Sequence, residues 1–186
     1  MHMMEFSTKY FEKAGEHNTD TTLQLAVETA KKRNINTIVI ASRTGKTAMN
    51  LVHRIQGQNI RVVVITPQFG WHDTHEFNLA LIPQLRDQGH SFHTGSMPFH
   101  MGKLHGGGEA EAMANALRIF GHGTQVCVEI ALMAVDGGHI KTGEKCICIA
   151  GTRKGADTAI VATPSSTLRF KDFMVHEHIC RPVSKV

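Results

Sequence analysis

The chain has 186 residues, 41% of them hydrophobic and 19% charged, which suits one globular domain with room for a sheet covered on both faces. Lys and Arg outnumber Asp and Glu by only 20 to 16 with no block of like charge, which argues only weakly for nucleic acid and better suits a solvated basic surface or an anionic small ligand. No apolar run reaches the roughly 18 residues of a membrane span, and the first ten residues lack a signal-peptide pattern.

Residues 21–33 carry an apolar stripe at Leu23, Ala26, Val27 and Ala30, the spacing of a helix. Asn18, Thr19 and Asp20 are capping types before it, and Lys31, Lys32 and Arg33 suit its negative end. Residues 37–41 form a short β-branched run, expected as a strand buried on both faces. Residues 45–56 repeat the helical stripe at Ala48, Leu51, Val52 and Ile55, with Gly57 as the stop. Residues 61–66 give a second buried strand closed by Pro67, completing a strand–helix–strand unit of about 30 residues with parallel strands.

Residues 67–75 read as a loop around Trp71, and 78–88 as a helix that Pro83 either kinks or starts late. A short edge strand is expected at 91–94, then a Gly- and His-rich connection without period at 95–108. Residues 109–120 are amphipathic through Ala110, Met113, Ala114 and Leu117, and Gly121, His122 and Gly123 break them. Thr124 is expected to cap a second helix running to Asp136. From 126 to 135 every residue except Glu129 is apolar, so that helix should be buried nearly all round. Strands at 145–150 and 156–163 flank a short turn and must be antiparallel, and 175–180 is one more strand. The whole of 1–186 reads as a single α/β domain.

The best-marked functional feature is the turn of Ser42, Arg43, Thr44, Gly45, Lys46 and Thr47, between a buried strand and a helix. Free N–H groups and the positive helix end make such a position an anion site. Gly45 permits close approach, Ser42, Thr44 and Thr47 offer hydroxyls, and Arg43 or Lys46 adds charge. It is no nucleotide-triphosphate loop, because a Walker A pattern needs glycine where Ile40 stands. The turn from Gly151 through Thr152, Arg153 and Lys154 to Gly155 is a second candidate. If its strand is parallel to the first two, Gly151 and Thr152 open beside Ser42 and Thr66. The alternative is a flexible hairpin that merely uses glycine.

Glu129 is the third candidate, a carboxylate among apolar neighbours that must be paired, protonated or facing a cavity. A salt bridge or hydrogen bond to a loop is the expected role, with proton transfer or ligand contact the alternative. The 13 histidines include close pairs at His72 and His75 and at His176 and His178, and a cluster of His90, His93, His100 and His105. None has metal-ligand spacing, so they are expected as loop histidines in water, with no metal. The 4 cysteines form no C-x-x-C pair, which suits reduced thiols in the cytoplasm.

Residues 25–66, with Ala41 through Ala48 and Val62 through Thr66, resemble the C-terminal domain of pyruvate kinase, and residues 151–161 resemble the end of that domain. A closer likeness is to a small group of stand-alone archaeal and bacterial proteins with this domain, carried by Gly15, Asn18, Thr19, residues 120–123, 126–130, Met133, Ala134, Asp136, Ile179, Cys180 and Pro182. The likeness is weakest from 67 to 103. It implies a three-layer α/β/α sandwich on a mixed, mostly parallel sheet with one antiparallel strand. It also implies a phosphate held at the matching turn, by Ser42, Thr44, Gly45, Lys46 and Thr47.

The resemblance leaves out the catalytic barrel of pyruvate kinase, so pyruvate kinase activity is not expected. Its stand-alone relatives have been seen with flavin mononucleotide (FMN) and have no settled reaction. The expected function is therefore binding of a phosphorylated small molecule, with FMN the implied cofactor. The alternative is a flavin-dependent oxidoreductase or other enzyme on a phosphorylated metabolite. A role as an interaction module within a homo-oligomer also fits.

Overall fold

The computed structural model describes residues 3–71, 76–103 and 108–184. The β-branched run forms β2 (Thr37–Ala41) and the valine run forms β3 (Arg61–Thr66). They pair in parallel, Thr37 beside Arg61 and Ala41 beside Ile65, because α2 (Lys46–Arg54) carries the chain back between them. β5 (Cys146–Ala150) joins the other side of β2, and β4 (Ser91–Thr94) extends the sheet beyond β3, both parallel. β6 (Thr158–Thr163) runs antiparallel to β5 and to β7 (Met174–Pro182). β1 (Lys9–Phe11) lies parallel to β7, so the order is β1-β7-β6-β5-β2-β3-β4, and among the described strands β6 alone is reversed.

The two-residue period of a strand divides the core. Ile38, Ile40, Val62, Val64, Ile147 and Ile149 pack with Leu23, Ala26, Leu51, Val52 and Leu85 of α1 (Thr19–Arg33), α2 and α3 (Leu81–Asp87). On the other face Val39, Val63, Cys148 and Ile160 pack with Ala114, Cys127, Ala131 and Leu132 of α4 (Glu109–Arg118) and α5 (His122–Asp136). The result is a three-layer α/β/α sandwich. Each fully buried Leu or Ile contributes about 1.5–3 kcal/mol, so the two helical layers are held by many modest terms. The cysteines are all free and buried, and burial pushes the Cys180 thiol up to about 11, which makes it an inert core residue. Among the described residues no helix is long and apolar enough to cross a membrane.

Local chemistry departs from the sequence expectation in several places. Thr124 is not the cap of α5, which starts two residues earlier behind Gly121. Its hydroxyl instead donates to Phe120 O at 3.1 Å, as a threonine inside a helix can do. Asn18 stands at the N-cap of α1, but its side chain donates to Lys13 O at 2.7 Å. α3 starts late, so Pro83 falls in its first turn, where a missing N–H costs little. The connection at 95–108 contains a 3-10 segment, Pro98–Lys103, and β1 was not anticipated.

The histidines are not simply loop residues in water. His90, His93, His139 and His178 are half-buried, and burial lowers the pKa of each. The His90 ring nitrogen Nδ1 accepts the Val62 N–H at 3.3 Å, and His178 Nε2 meets the Thr124 hydroxyl at 3.0 Å. His72, His75 and His105 lie outside the described residues. Among the described residues no three His, Cys, Asp or Glu side chains are grouped to hold a metal ion.

Candidate ligand-binding cleft

β2, β3 and β5 are parallel neighbours, so their carboxyl ends lie side by side and the chain leaving them walls a cleft of about 820 Å³. That position and volume suit a small-molecule site.

The first wall is the turn after β2. Ser42 donates its N–H to Ile65 O at 2.9 Å, which extends the ladder one step past the strand. Gly45 has φ 96°, and a Cβ there would lie 2.5 Å from Leu81 Cδ1, so only glycine fits. Ser42 Oγ accepts the Ala48 N–H at 3.3 Å, capping α2 while its own hydrogen remains free to donate. The Thr47 N–H has no acceptor among the described residues, which leaves a donor at the positive end of α2. Lys46 Nζ lies 2.9 Å from Glu16 Oε1, and Arg43 Nε lies 3.2 Å from Glu76 Oε2. The Lys46 hydrogen bond and charge hold the Glu16 carboxyl below its ordinary value.

The second wall is the turn at 151–155, which is braced and not a loose hairpin. Asp157 Oδ2 accepts the N–H of Thr152 at 3.2 Å and of Gly15 at 3.0 Å. Thr19 Oγ accepts the Ala156 N–H at 2.9 Å, and the Thr22 hydroxyl donates to Ala156 O at 3.3 Å. A Cβ on Gly151 would run into the Gly155 carbonyl, and one on Gly155 into the Thr19 hydroxyl. The turn thus presents Arg153 and Lys154, neither of which has an ion-pair partner among the described residues.

The third wall comes from α5 and the 3-10 segment. Glu129 is 2% exposed and lines the cleft. Its Oε1 accepts the Phe99 N–H at 2.9 Å and lies 2.9 Å from His100 Nδ1, and its Oε2 accepts Gln125 Nε2 at 3.0 Å. The expected hydrogen bond to a loop and the alternative, a place on the cavity, are therefore both present at Glu129. Gln125, fully buried, also lines the cleft, and among the described residues its Oε1 has no hydrogen-bond partner. Trp71 packs edge-on against His100 with ring centroids 4.5 Å apart, and Met97, Val126, Ile130 and Met133 supply apolar lining.

Of the residues named from sequence, Ser42, Arg43, Thr44, Lys46, Thr47, Thr66, Gly151, Thr152, Gly155 and Glu129 all line this one cleft, and Gly45 sits in the same turn, where an added Cβ would meet Leu81 and Phe77. Sequence reasoning missed Glu16, Met97, His122 and Gln125 as lining residues. Gln125 was within reach, because it stands one helical turn before Glu129.

Two pyruvate kinase structures from Cryptosporidium parvum resemble this chain in part. One matches with a TM-score of 0.43 at 16% identity, covering 79% of this chain and 23% of that one. The other, solved in complex with ADP, matches with a TM-score of 0.40 at 17% identity, covering 77% of this chain and 22% of that one. This chain therefore spans less than a quarter of those proteins. Residues 20–162 match the family described as pyruvate kinase, alpha/beta domain, and the chain belongs to that family.

Proposed function

We propose that this domain binds a phosphorylated small molecule in the cleft, and that the molecule is FMN. The observation that carries the reading is the convergence of two turns on one cavity. The helix-start turn at 42–47 offers hydroxyls and the Thr47 N–H, and the braced turn at 151–155 brings Arg153 and Lys154 to the same opening. Behind them the cleft turns apolar at Trp71, Met97, Val126, Ile130 and Met133, which suits a flat ring. The residues therefore fit FMN at both ends. This reading does not include pyruvate kinase activity.

The test is titration with FMN alongside riboflavin, in wild type and in Thr47→Val and Lys46→Ala. FMN should bind at least tenfold tighter than riboflavin in wild type, and the variants should lose that preference. Equal binding of the two flavins rejects the phosphate site. The absorption spectrum of freshly purified protein gives an independent check, since bound flavin absorbs visible light.

A second reading, an enzyme on a phosphorylated metabolite, is favoured by Glu129, which lines the cleft while paired to His100. A carboxylate and an imidazole 2.9 Å apart at a cavity can hold and pass a proton. Turnover that responds to His100→Gln with unchanged FMN affinity would select this reading.

A further inference from the structure

Among the described residues, Arg43, Lys46, Arg153 and Lys154 bring positive charge to the cleft, and two of them already hold a carboxylate. Arg43 pairs with Glu76 and Lys46 with Glu16, and both acids line the same cleft. The second pair stands where a phosphate is expected, because Lys46 is the first residue of α2. Its Nζ lies 2.9 Å from Glu16 Oε1, and both side chains are at least half exposed, so a ligand arriving from solvent reaches them.

The Glu16 carboxylate is delivered by backbone that the fold pins. Glu16 follows Gly15, whose N–H is held by Asp157 Oδ2 at 3.0 Å. It opens the 3-10 turn Glu16–Asn18, closed by the Asn18 N–H on Gly15 O at 3.1 Å. Its backbone packs on the opposite turn, since a Cβ on Gly155 would lie 2.9 Å from Glu16 Cα. The acid is thus rooted against the turn at 151–155 and ion-paired to the turn at 42–47. Lys46 most strongly, and Lys154 from the other side, hold its carboxyl below the ordinary value. An anion already sits between the cations of the two turns, and it belongs to the chain.

Resting on the phosphate reading above, we propose that Glu16 is an internal counter-anion, which a ligand's phosphate must displace from Lys46. Carboxylate and phosphate compete for one ammonium group, and a carboxylate left beside a bound phosphate repels it. Glu16 is then a specificity residue that acts by opposing the wrong ligand. Its opposition falls on every phosphate alike. Bare phosphate has nothing to set against it and binds weakly, whereas a phosphorylated molecule whose ring fills the apolar wall still binds.

The experiment titrates FMN and riboflavin, and inorganic phosphate by competition with FMN, into wild type, Glu16→Gln, Lys46→Ala and the double variant. Glu16→Gln should bind FMN and inorganic phosphate about fivefold tighter than wild type, the scale of a half-exposed ion pair, with riboflavin unchanged within about twofold. On Lys46→Ala the same substitution should gain about twofold or less, since the contact it releases is already gone. FMN affinity in Glu16→Gln equal to wild type or lower overturns the proposal, and the acid then serves the start of α1 or touches the ligand directly. A gain that riboflavin shares overturns it too, as does an undiminished gain on Lys46→Ala. If wild type prefers FMN over riboflavin and Glu16→Gln gains nothing, the counter-anion falls and the phosphate reading stands. No preference for FMN in either protein rejects the phosphate reading, and the counter-anion with it. If Glu16→Gln does not fold, Glu16→Ala reads the same difference.

Discussion

Asp157 and Gly15 stand 142 residues apart in the chain and are joined by a 3.0 Å hydrogen bond from the Gly15 N–H to Oδ2. The same oxygen takes the Thr152 N–H, and Oδ1 takes the Thr158 hydroxyl at 2.8 Å. Asp157 is 0% exposed, so the donors converge on a carboxylate that water does not reach. The clamp explains why Gly15 and Thr19 belong with a turn so far along the sequence. It sets one lip of the cleft.

Asp157→Ala leaves these donors without an acceptor and should lower stability by about 3 kcal/mol. Asp157→Asn should cost only about 1 kcal/mol, because its oxygen can serve the two amides while the Thr158 hydroxyl turns to accept. Denaturant unfolding distinguishes the two. Equal losses would show that the carboxylate does not organise the turn.

Gly151→Ala sets a Cβ against the Gly155 carbonyl, a backbone atom that cannot swing aside. The turn must open, at a cost of about 2 kcal/mol. Affinity for FMN should fall with it, because Arg153 and Lys154 lose their placement. Unchanged stability and affinity would mean that the turn is not braced as described.

Glu129→Gln and Glu129→Ala should behave differently. In Glu129→Gln the oxygen can stay with Phe99 and His100, and the new amide N–H then turns the Gln125 amide over to meet it. Stability should change by about 1 kcal/mol or less. Glu129→Ala strands the Phe99 and Gln125 N–H groups and should cost about 3 kcal/mol. Thermal melts on the pair decide.

Acid should destabilise the fold before the carboxylates titrate. Burial holds His90, His93, His139 and His178 below the ordinary imidazole value of 6.5. The unfolded chain thus binds protons that the fold refuses. Their contribution to stability is complete above about 6.5 and is lost as the pH falls from there through the folded values. The melting temperature should decline between about pH 7 and 5.5. A flat profile across that window contradicts the assignment.

The β2–α2–β3 unit is legible in sequence because its apolar periods switch cleanly from two to helical spacing and back, and Gly45 and Pro67 mark the joints. The cleft follows from that unit, since parallel strands deliver their loops to one end. Thr124 misleads because a hydroxyl suits a cap or a helix interior equally, and Gly121 at φ 115° decides between them. β1 is hidden because Lys9–Phe11 carries no alternation and is held by β7. The setting of Glu129 is hidden for a related reason. It depends on Phe99 and His100 reaching it from another element, which helical spacing alone cannot show.

The pairing of β1 with β7 sets Lys9 beside Cys180, and the clamp sets Gly15 on Asp157. During translation the opening residues must therefore wait, unpaired, until the ribosome has delivered nearly the whole domain. β2, α2 and β3 can meet early, so the turn at 42–47 exists in the nascent chain while its opposite lip does not. On the proposal that the cleft holds a phosphorylated ligand, that turn alone would not retain it before residues 151–158 emerge. Loading would then be a late event in the life of each new molecule.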